Sequence, residues 1–588
     1  MFATTFGTAP RRPKAPAIFA AGWTGINVLL VSFLVLACLT APFSSGGPDA
    51  ERLIGPILLD HVGRSFVNDA LWLRLCFAAA GAVVAASVTG VLTWRNTPLA
   101  DICVSMPHEA DPCLHRDAFA RQALNQRFVD KHGSDYRTDL MLAPGVPLPR
   151  EAESDFVLVV GNKGSGKSSL VRAFASQAIA RGDRVLLHCV KGDVAASFAP
   201  GEAVLIGAHH AQGWAWDAAA DLDGDGGFMD LAAAIIPVSG SSPFWAQSAR
   251  AVFVDVLHDL ATEPGRQGWT FRDLFERMFE DPEDLKRRIS HLDLSASPLI
   301  EIGDEGLVNT SFGVLATLWS ATLDGVRPLA LAWGNAPPHR RFSVKQWLRG
   351  EGPATVILQT TPEYEEVSQI VSRTLLGRVV VGVADASLAI DTNRRVTLVL
   401  DEFHALGRIP RFETALALGR EKGLVVVAAL QSLAQLPEVY GSNVGQIVQD
   451  LFGIRIFSAL SAGESADKAS ALVGRRTLVW RERNDDPNKK GRYRSERGER
   501  PLLTTKQFET ELGVRQVGPD PKNPDHKRLR AVIAGRGDAY LLDWPLTIWP
   551  NLRAGYVPAP WLKAHRRRQS ASPAGDAGDR QPRSTPST

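Results

Sequence analysis

Cysteine is scarce in this chain of 588 residues. There are five, Cys38, Cys76, Cys103, Cys113 and Cys189, with no CxxC pair, and the nearest two stand ten positions apart. That excludes a disulfide framework and offers no zinc-ligand spacing. Isolated thiols of this kind behave as small apolar side chains in a reducing compartment. An excess of one charge is also missing. Lys and Arg number 65 against 63 Asp and Glu, a formal net charge of +2. Any contact with nucleic acid must therefore come from local patches rather than from a uniformly basic surface. No internal repeat is visible, which sets aside solenoid and propeller architectures.

What is present is a 45% hydrophobic composition, enough for a real core, on a chain long enough for about two to four domains. Residues 17–41 carry no charged side chain, and a second uncharged run, 75–94, is bracketed by Arg74 and Arg95. About 20 apolar residues at ~1.5 Å rise cross the ~30 Å hydrocarbon core. The first run exceeds a signal-peptide core. Both runs are expected to be transmembrane helices, anchoring residues 1–96. Arg11, Arg12 and Lys14 precede the first span with no acidic residue among them. The positive-inside rule then puts both flanks in the cytoplasm, with segment 42–74 outside.

Residues 97–150 read as a connector. After them come short apolar runs, at 156–160, 184–190, 354–360, 396–400, 424–430 and 453–458. Without polar alternation they predict strands buried on both faces, and strands separated by helices predict a mainly parallel sheet. The fold class is therefore α/β, with a nucleotide-binding domain over 151–205 and 351–563. Residues 206–350 have little strand character. Helical spacing at 244–260, 271–279, 283–292 and 306–323 predicts an inserted all-α domain. Thr270 with Asp273 resembles a capping box. Residues 481–500 read as a charged loop and 564–588 as a disordered tail.

The chemistry is concentrated in Gly161-Asn162-Lys163-Gly164-Ser165-Gly166-Lys167-Ser168, followed by Ser169. This is a GxxxxGK[ST] string with an apolar strand before it and a helix pattern after it. Glycines let the backbone curl so that several N–H groups meet phosphate oxygens, and the helix N-terminus adds partial positive charge. Lys167 is expected to reach the β- and γ-phosphates of ATP, and Ser168 to ligate Mg²⁺. The run VTLVL ends in Asp401-Glu402, at the strand end where ligands bind in open α/β sheets. Asp401 is expected to hold Mg²⁺ through water, and Glu402 to polarise the attacking water. Gln431 ends the next strand and is placed to report on the γ-phosphate. Arg420 lies between, and in a ring of subunits it would reach a neighbour's site.

These segments resemble the type IV secretion coupling protein family, the TraD/TraG/VirD4 group with its TrwB-like branch. The residues that carry the resemblance are GNKGSGKSSL at 161–170, HCVKGD at 188–193, PFWAQSAR at 243–250, LDEFHALGRIPRF at 400–412 and GREKGLVVVAALQSLAQLPEVYG at 419–441. The resemblance implies a RecA-like P-loop ATPase with an inserted all-α domain, held as a homo-hexamer in the bacterial inner membrane. It would bind ATP and Mg²⁺, accept DNA with its relaxase or relaxosome, and pass them to channel subunits of the secretion system. Arg420 falls where the family carries an arginine finger, and Gln431 where it senses the γ-phosphate. Two departures stand out: NKGSGKS where TGSGKS is commoner, and His188-Cys189-Val190 where Asp and Pro are frequent.

A motor that moves DNA without sequence preference needs cationic surface along the phosphate path. Lys489, Lys490, Arg492, Arg494 and Arg497 with Tyr493, the cluster Arg566–Arg568, and Arg408 with Arg411 are the candidates. Trp214, Trp216, Phe244 and Trp245 read as core. The alternative function is a coupling ATPase that recruits protein effectors with no DNA role. A structural anchor with a vestigial nucleotide site is opposed by the joint presence of Lys167 and Asp401-Glu402.

Overall fold

The computed structural model describes residues 111–562, apart from 223, 239–242, 265–267, 305, 386–393 and 484–492, together with several positions within 80–92. The chain divides into two compact units, Met1–Asp111 with Arg475–Arg500, and Pro112–Gly474 with Pro501–Thr588.

In the first unit the expected span 17–41 and most of 75–94 lie outside the described residues. Those described within 80–92 are helical, and Val83, Val84, Val88, Val91 and Leu92 are exposed. Arg475–Arg483 and Tyr493–Pro501 pair as a two-stranded sheet. The expected charged loop is therefore strand over much of its length.

The second unit is built on a sheet of 11 strands. In chain order these are β1 (Leu114–Arg116), β2 (Val157–Val160), β3 (Arg184–Cys189), β4 (Val204–Ile206), β5 (Thr355–Gln359), β6 (Val396–Leu400), β7 (Leu424–Leu430), β8 (Ile454–Phe457), β9 (Gly513–Gln516), β10 (Lys527–Arg536) and β11 (Asp538–Pro545). Across the sheet they run β1-β11-β10-β8-β2-β7-β6-β3-β5-β4, with β9 beside β10. Every pair from β8 to β4 is parallel, and β10 joins β8 and β11 antiparallel. This is an α/β nucleotide-binding fold with a mostly parallel, mixed sheet.

The six runs read as strands from sequence all lie in this sheet because both its faces are covered. Alternate residues serve opposite cores. Leu158 and Val160 of β2, Leu398 and Leu400 of β6, and Val426 and Ala428 of β7 enter one hydrophobic cluster. Val157 and Val159, Val399, and Val427 and Ala429 enter the other. Two-sided burial removes the polar alternation, leaving a continuous apolar run.

The second cluster is covered by α1 (Asp117–His132) and α2 (Lys167–Arg181). Residues 111–150, expected as connector, thus carry β1, α1 and a pair of antiparallel strands, Thr138–Ala143 with Val146–Pro149. Ala120, Leu124 and Phe128 of α1 are all buried.

Between β4 and β5 the chain forms α3 (Asp225–Ile235), α4 (Phe244–Thr262), α5 (Phe271–Met278), α6 (Pro282–Ile289), α7 (Asn309–Ala321) and α8 (Arg327–Trp333). Thr270 and Asp273 close the expected capping box at the start of α5. Phe253 of α4, Leu274 of α5 and Leu318 of α7 share one hydrophobic cluster with Leu186 and Val356 of the sheet. α9 (Glu365–Ala384) lies in the same cluster. Among the described residues α9 is the one helix long and apolar enough to cross a membrane, yet 67% of its apolar stretch is buried inside the fold.

The helical block is fastened where the chain enters and leaves it. Ala215–Trp216 pairs in parallel with Arg341–Phe342. Asp221, 1% exposed, accepts hydrogen bonds from Trp216 Nε1 (2.7 Å), Ser343 Oγ (2.6 Å), Val344 N–H (2.8 Å) and Lys345 N–H (3.0 Å). Burial pushes the Asp221 carboxyl up, and the four donors pull it back towards the charged form. Asp221→Asn turns an amide N–H₂ towards these donors and leaves buried groups unmatched. A loss of about 3–5 kcal/mol is expected, read as a fall in the urea midpoint at unchanged slope.

Candidate functional site

The site is assembled at the carboxyl ends of β2, β3, β6 and β7. β2 ends at Val160, and the next two residues are pinned between neighbouring strands. Gly161 N–H donates to Leu430 O (3.1 Å) and Asn162 N–H to Ala459 O (2.8 Å). Ser458 Oγ donates to Ser165 O at 2.6 Å, and Asn162 Nδ2 to Ser461 Oγ at 2.6 Å. The loop then turns through Gly164 at φ 79° and Gly166 at φ 94°. A Cβ on Gly166 would stand 2.8 Å from a Leu529 methyl, so both conformation and space require glycine there. Lys163 and Gly164 form the exposed tip. α2 begins at Lys167, where Ser169 and Leu170 N–H already donate to Gly166 O, and the leading N–H groups of a helix make its N-terminus a natural anion seat.

Lys167 Nζ donates to Gly161 O (2.6 Å) and Asn162 O (2.9 Å), so the loop's own carbonyls hold the ammonium. Ser168 Oγ donates to Asp401 Oδ2 at 2.9 Å. Ser169 Oγ accepts from Thr547 N–H at 2.7 Å, securing the first turn of α2. Asp401 follows the last residue of β6. Glu402 sits at φ 55°, ψ 55°, left-handed for a residue with a Cβ. Its Oε1 is 3.4 Å from Gln431 Nε2 and 3.9 Å from Lys191 Nζ. The structure thus brings Lys167, Ser168, Asp401, Glu402 and Gln431 together.

The charges are tuned by burial. Lys167 is held below the usual lysine range by desolvation, opposed by Asp401 and Glu402. Burial pushes the Asp401 carboxyl up, and the Ser168 hydroxyl holds it down. The donors on Ser168 and Asp401 are all oxygen, as a hard divalent cation requires.

Arg420 stands apart from these groups. Its Nη2 donates to Leu451 O at 2.7 Å, and its guanidinium lies 5.2 Å from the centroid of Phe156, the residue before β2. That is the opposite end of β2 from the phosphate loop. Arg411 makes an ion pair with Asp230 of α3, which Arg378 of α9 also meets at 2.7 Å. It therefore faces the helical block. Lys489, Lys490, Arg492 and Arg566–Arg568 lie outside the described residues; Arg497 is exposed. Trp216 is buried, while Phe244 and Trp245, read as core, are exposed on α4.

Two site residues carried no assigned role in the sequence. Lys191 reaches Glu402. His188, near the end of β3 and 1% exposed, has Nδ1 2.6 Å from Asp401 O and Nε2 3.0 Å from Thr360 Oγ. Burial lowers its pKa to about 4, so the ring is neutral. The signal in both cases was the string HCVKGD directly after an apolar run, at the same sheet edge as the phosphate loop.

A family model described as the type IV secretion-system coupling protein DNA-binding domain matches residues 140–504. The coupling protein TraD of Escherichia coli (strain K12) is 24% identical over 355 residues, 59% of this chain and 47% of TraD. The chain therefore spans about half the length of that relative. Among solved structures, the conjugative coupling protein TrwBdeltaN70 in complex with sulphate is similar with a TM-score of 0.60 and 19% identity, over 78% of this chain and 99% of that one. TrwB in complex with ADP and Mg²⁺ is similar with a TM-score of 0.55 and 20% identity, over 74% and 94%. Identities this low speak for the fold alone.

Proposed function

The chain belongs to the type IV secretion-system coupling protein family, and we propose that it is an inner-membrane ATPase that hydrolyses ATP with Mg²⁺ to drive DNA, delivered with its relaxase, into a conjugation channel. The observation that carries this reading is the meeting of Ser168 Oγ and Asp401 Oδ2 at 2.9 Å, with Lys167 and Glu402 on either side. In this reading Gly161–Ser169 cradle the phosphates. Lys167 leaves the Gly161 and Asn162 carbonyls for the β- and γ-phosphate oxygens, where its charge opposes the negative charge of the transition state. Ser168 and Asp401 would hold a magnesium ion, which would supply positive charge against the phosphates. Glu402 orients and polarises the water that attacks the γ-phosphorus. Gln431, already touching Glu402, reports whether the γ-phosphate is present.

Arg420 serves as an arginine finger only between subunits, because in its own chain it faces the other end of the sheet. A homo-hexamer anchored by 17–41 and 75–94 supplies that geometry. Residues 206–350 act as an inserted helical domain receiving substrate. The test uses full-length protein in detergent or lipid with single- and double-stranded DNA. ATP turnover is expected to rise on adding DNA, with affinity that falls as salt rises. Turnover indifferent to DNA, with no DNA binding at low salt, would overturn the DNA role and leave effector recruitment in its place.

A further inference from the structure

We propose that His188 is a positioning residue for the hydrolytic step, fixing the backbone turn that aims Glu402 at the attacking water. This rests on the reading of Glu402 given above. The starting point is the conformation of Glu402, at φ 55° and ψ 55°. A non-glycine residue holds such a conformation only where its surroundings impose it. Both peptide planes flanking the Glu402 Cα are pinned. On the far side, Glu402 O accepts from Ala405 N–H at 2.9 Å. On the near side, Asp401 O lies 2.6 Å from His188 Nδ1. With both planes held, φ and ψ of Glu402 have no freedom left.

The ring itself is oriented without ambiguity. A carbonyl oxygen only accepts, so Nδ1 carries the proton and Nε2 has the lone pair. Nε2 then accepts from Thr360 Oγ at 3.0 Å, one residue beyond β5. The ring is buried, so no water competes for either nitrogen. His188 stands opposite Leu400 in the β3–β6 register, which puts the side chain level with the turn that follows β6. No other side chain is found on the Asp401 carbonyl among the described hydrogen bonds.

Loss of the Nδ1 donor frees the Asp401–Glu402 peptide plane. Glu402 then relaxes from the left-handed region, and its carboxylate leaves the line of attack. Nucleotide binding depends on Gly161–Ser169 and is untouched, so the effect falls on kcat rather than on KM.

The experiment compares His188→Asn, His188→Gln and His188→Phe in the full-length protein with DNA present, following kcat, KM for ATP and the melting temperature. Asn places an amide N–H near ring Nδ1 and is expected to keep kcat within about 3-fold of the parent. Gln places its amide near Nε2 and Phe has no donor. Both are expected to lose about 10–100-fold in kcat, with KM within about 2-fold, as a displacement near 1 Å costs in an aligned site. A Phe variant with parental kcat overturns the proposal. So does a loss shared by all three variants in step with their melting temperatures, which would reduce His188 to packing. Glu402→Gln is run beside them. If it turns over normally, the assignment of Glu402 has failed, a result separable from any behaviour of the His188 series.

Discussion

Lys167→Ala is expected to lower DNA-dependent ATP turnover at least ~100-fold and to weaken nucleotide binding, while leaving the melting temperature of the nucleotide-free protein nearly unchanged. The reasoning starts from where the ammonium sits. Its two bonds go to the carbonyls of Gly161 and Asn162, and burial disfavours its charge. Without nucleotide it gives the fold little beyond packing. With nucleotide it meets charge that grows in the transition state, and loss of one such group costs about 2.7–4 kcal/mol. Lys167→Arg is expected to fail as well, because a planar fork does not fit a space shaped for a single nitrogen between two carbonyls. Turnover assays with thermal melts with and without ADP and Mg²⁺ check this. A Lys167→Ala protein that hydrolyses ATP at the parental rate would refute the site.

The second large effect is on acid stability. Burial lowers the pKa of His188 and His209 to about 4, and the two rings are 1% and 2% exposed. Unfolded, each titrates near 6.5. Between those values the unfolded chain binds protons that the folded chain refuses, so stability falls as pH falls. Each ring contributes up to about 1.4 kcal/mol per pH unit between those values, or about 6 kcal/mol for both by pH 4. His210 shifts in the same direction. Asp221 and Asp401, whose carboxyls burial raises, act in the opposite sense and soften the slope. Against a margin of about 5–15 kcal/mol, the second unit is expected to lose most of its stability between pH 6.5 and 4. Urea midpoints followed from pH 7 down to 4.5 test this; midpoints level to pH 5 would contradict it.

The sequence was most readable where chemistry and burial act locally. The phosphate loop and Asp401-Glu402 announce themselves because phosphate and magnesium demand fixed residue types at fixed spacing. β6 and β7 matched their expected limits because two covered faces leave an unbroken apolar run. α1 was missed because Arg116, before it, provides no side-chain cap, although Ala120, Leu124 and Phe128 recur at every fourth position. β10 was missed because it opens with Lys527, Arg528 and Arg530, which mask the apolar run that follows. Residues 481–483 and 493–500, read as part of a charged loop, are strand, because closely spaced charges there mask an extended pattern. His188 and Lys191 lay in a string the sequence singles out, HCVKGD, but nothing in that string told their partners. Their contacts with Asp401 and Glu402 cross from β3 to the end of β6, and such adjacency exists only once the strands are ordered in the sheet. Arg420 marks the same limit from the other side: the sequence placed it for a neighbour's site in a ring, and within its own chain it lies beside Phe156.

The helices between β4 and β5 share a single apolar interior with the sheet. Excising them would strip one face of the sheet bare, so a deletion of 206–350 should yield an aggregating product rather than a trimmed motor. Denaturation of the second unit should accordingly be a single cooperative event. Amides in α4 and in β7 would then exchange with solvent at a common, global rate, and any force applied to the helices would be felt by the sheet before a separate hinge could absorb it.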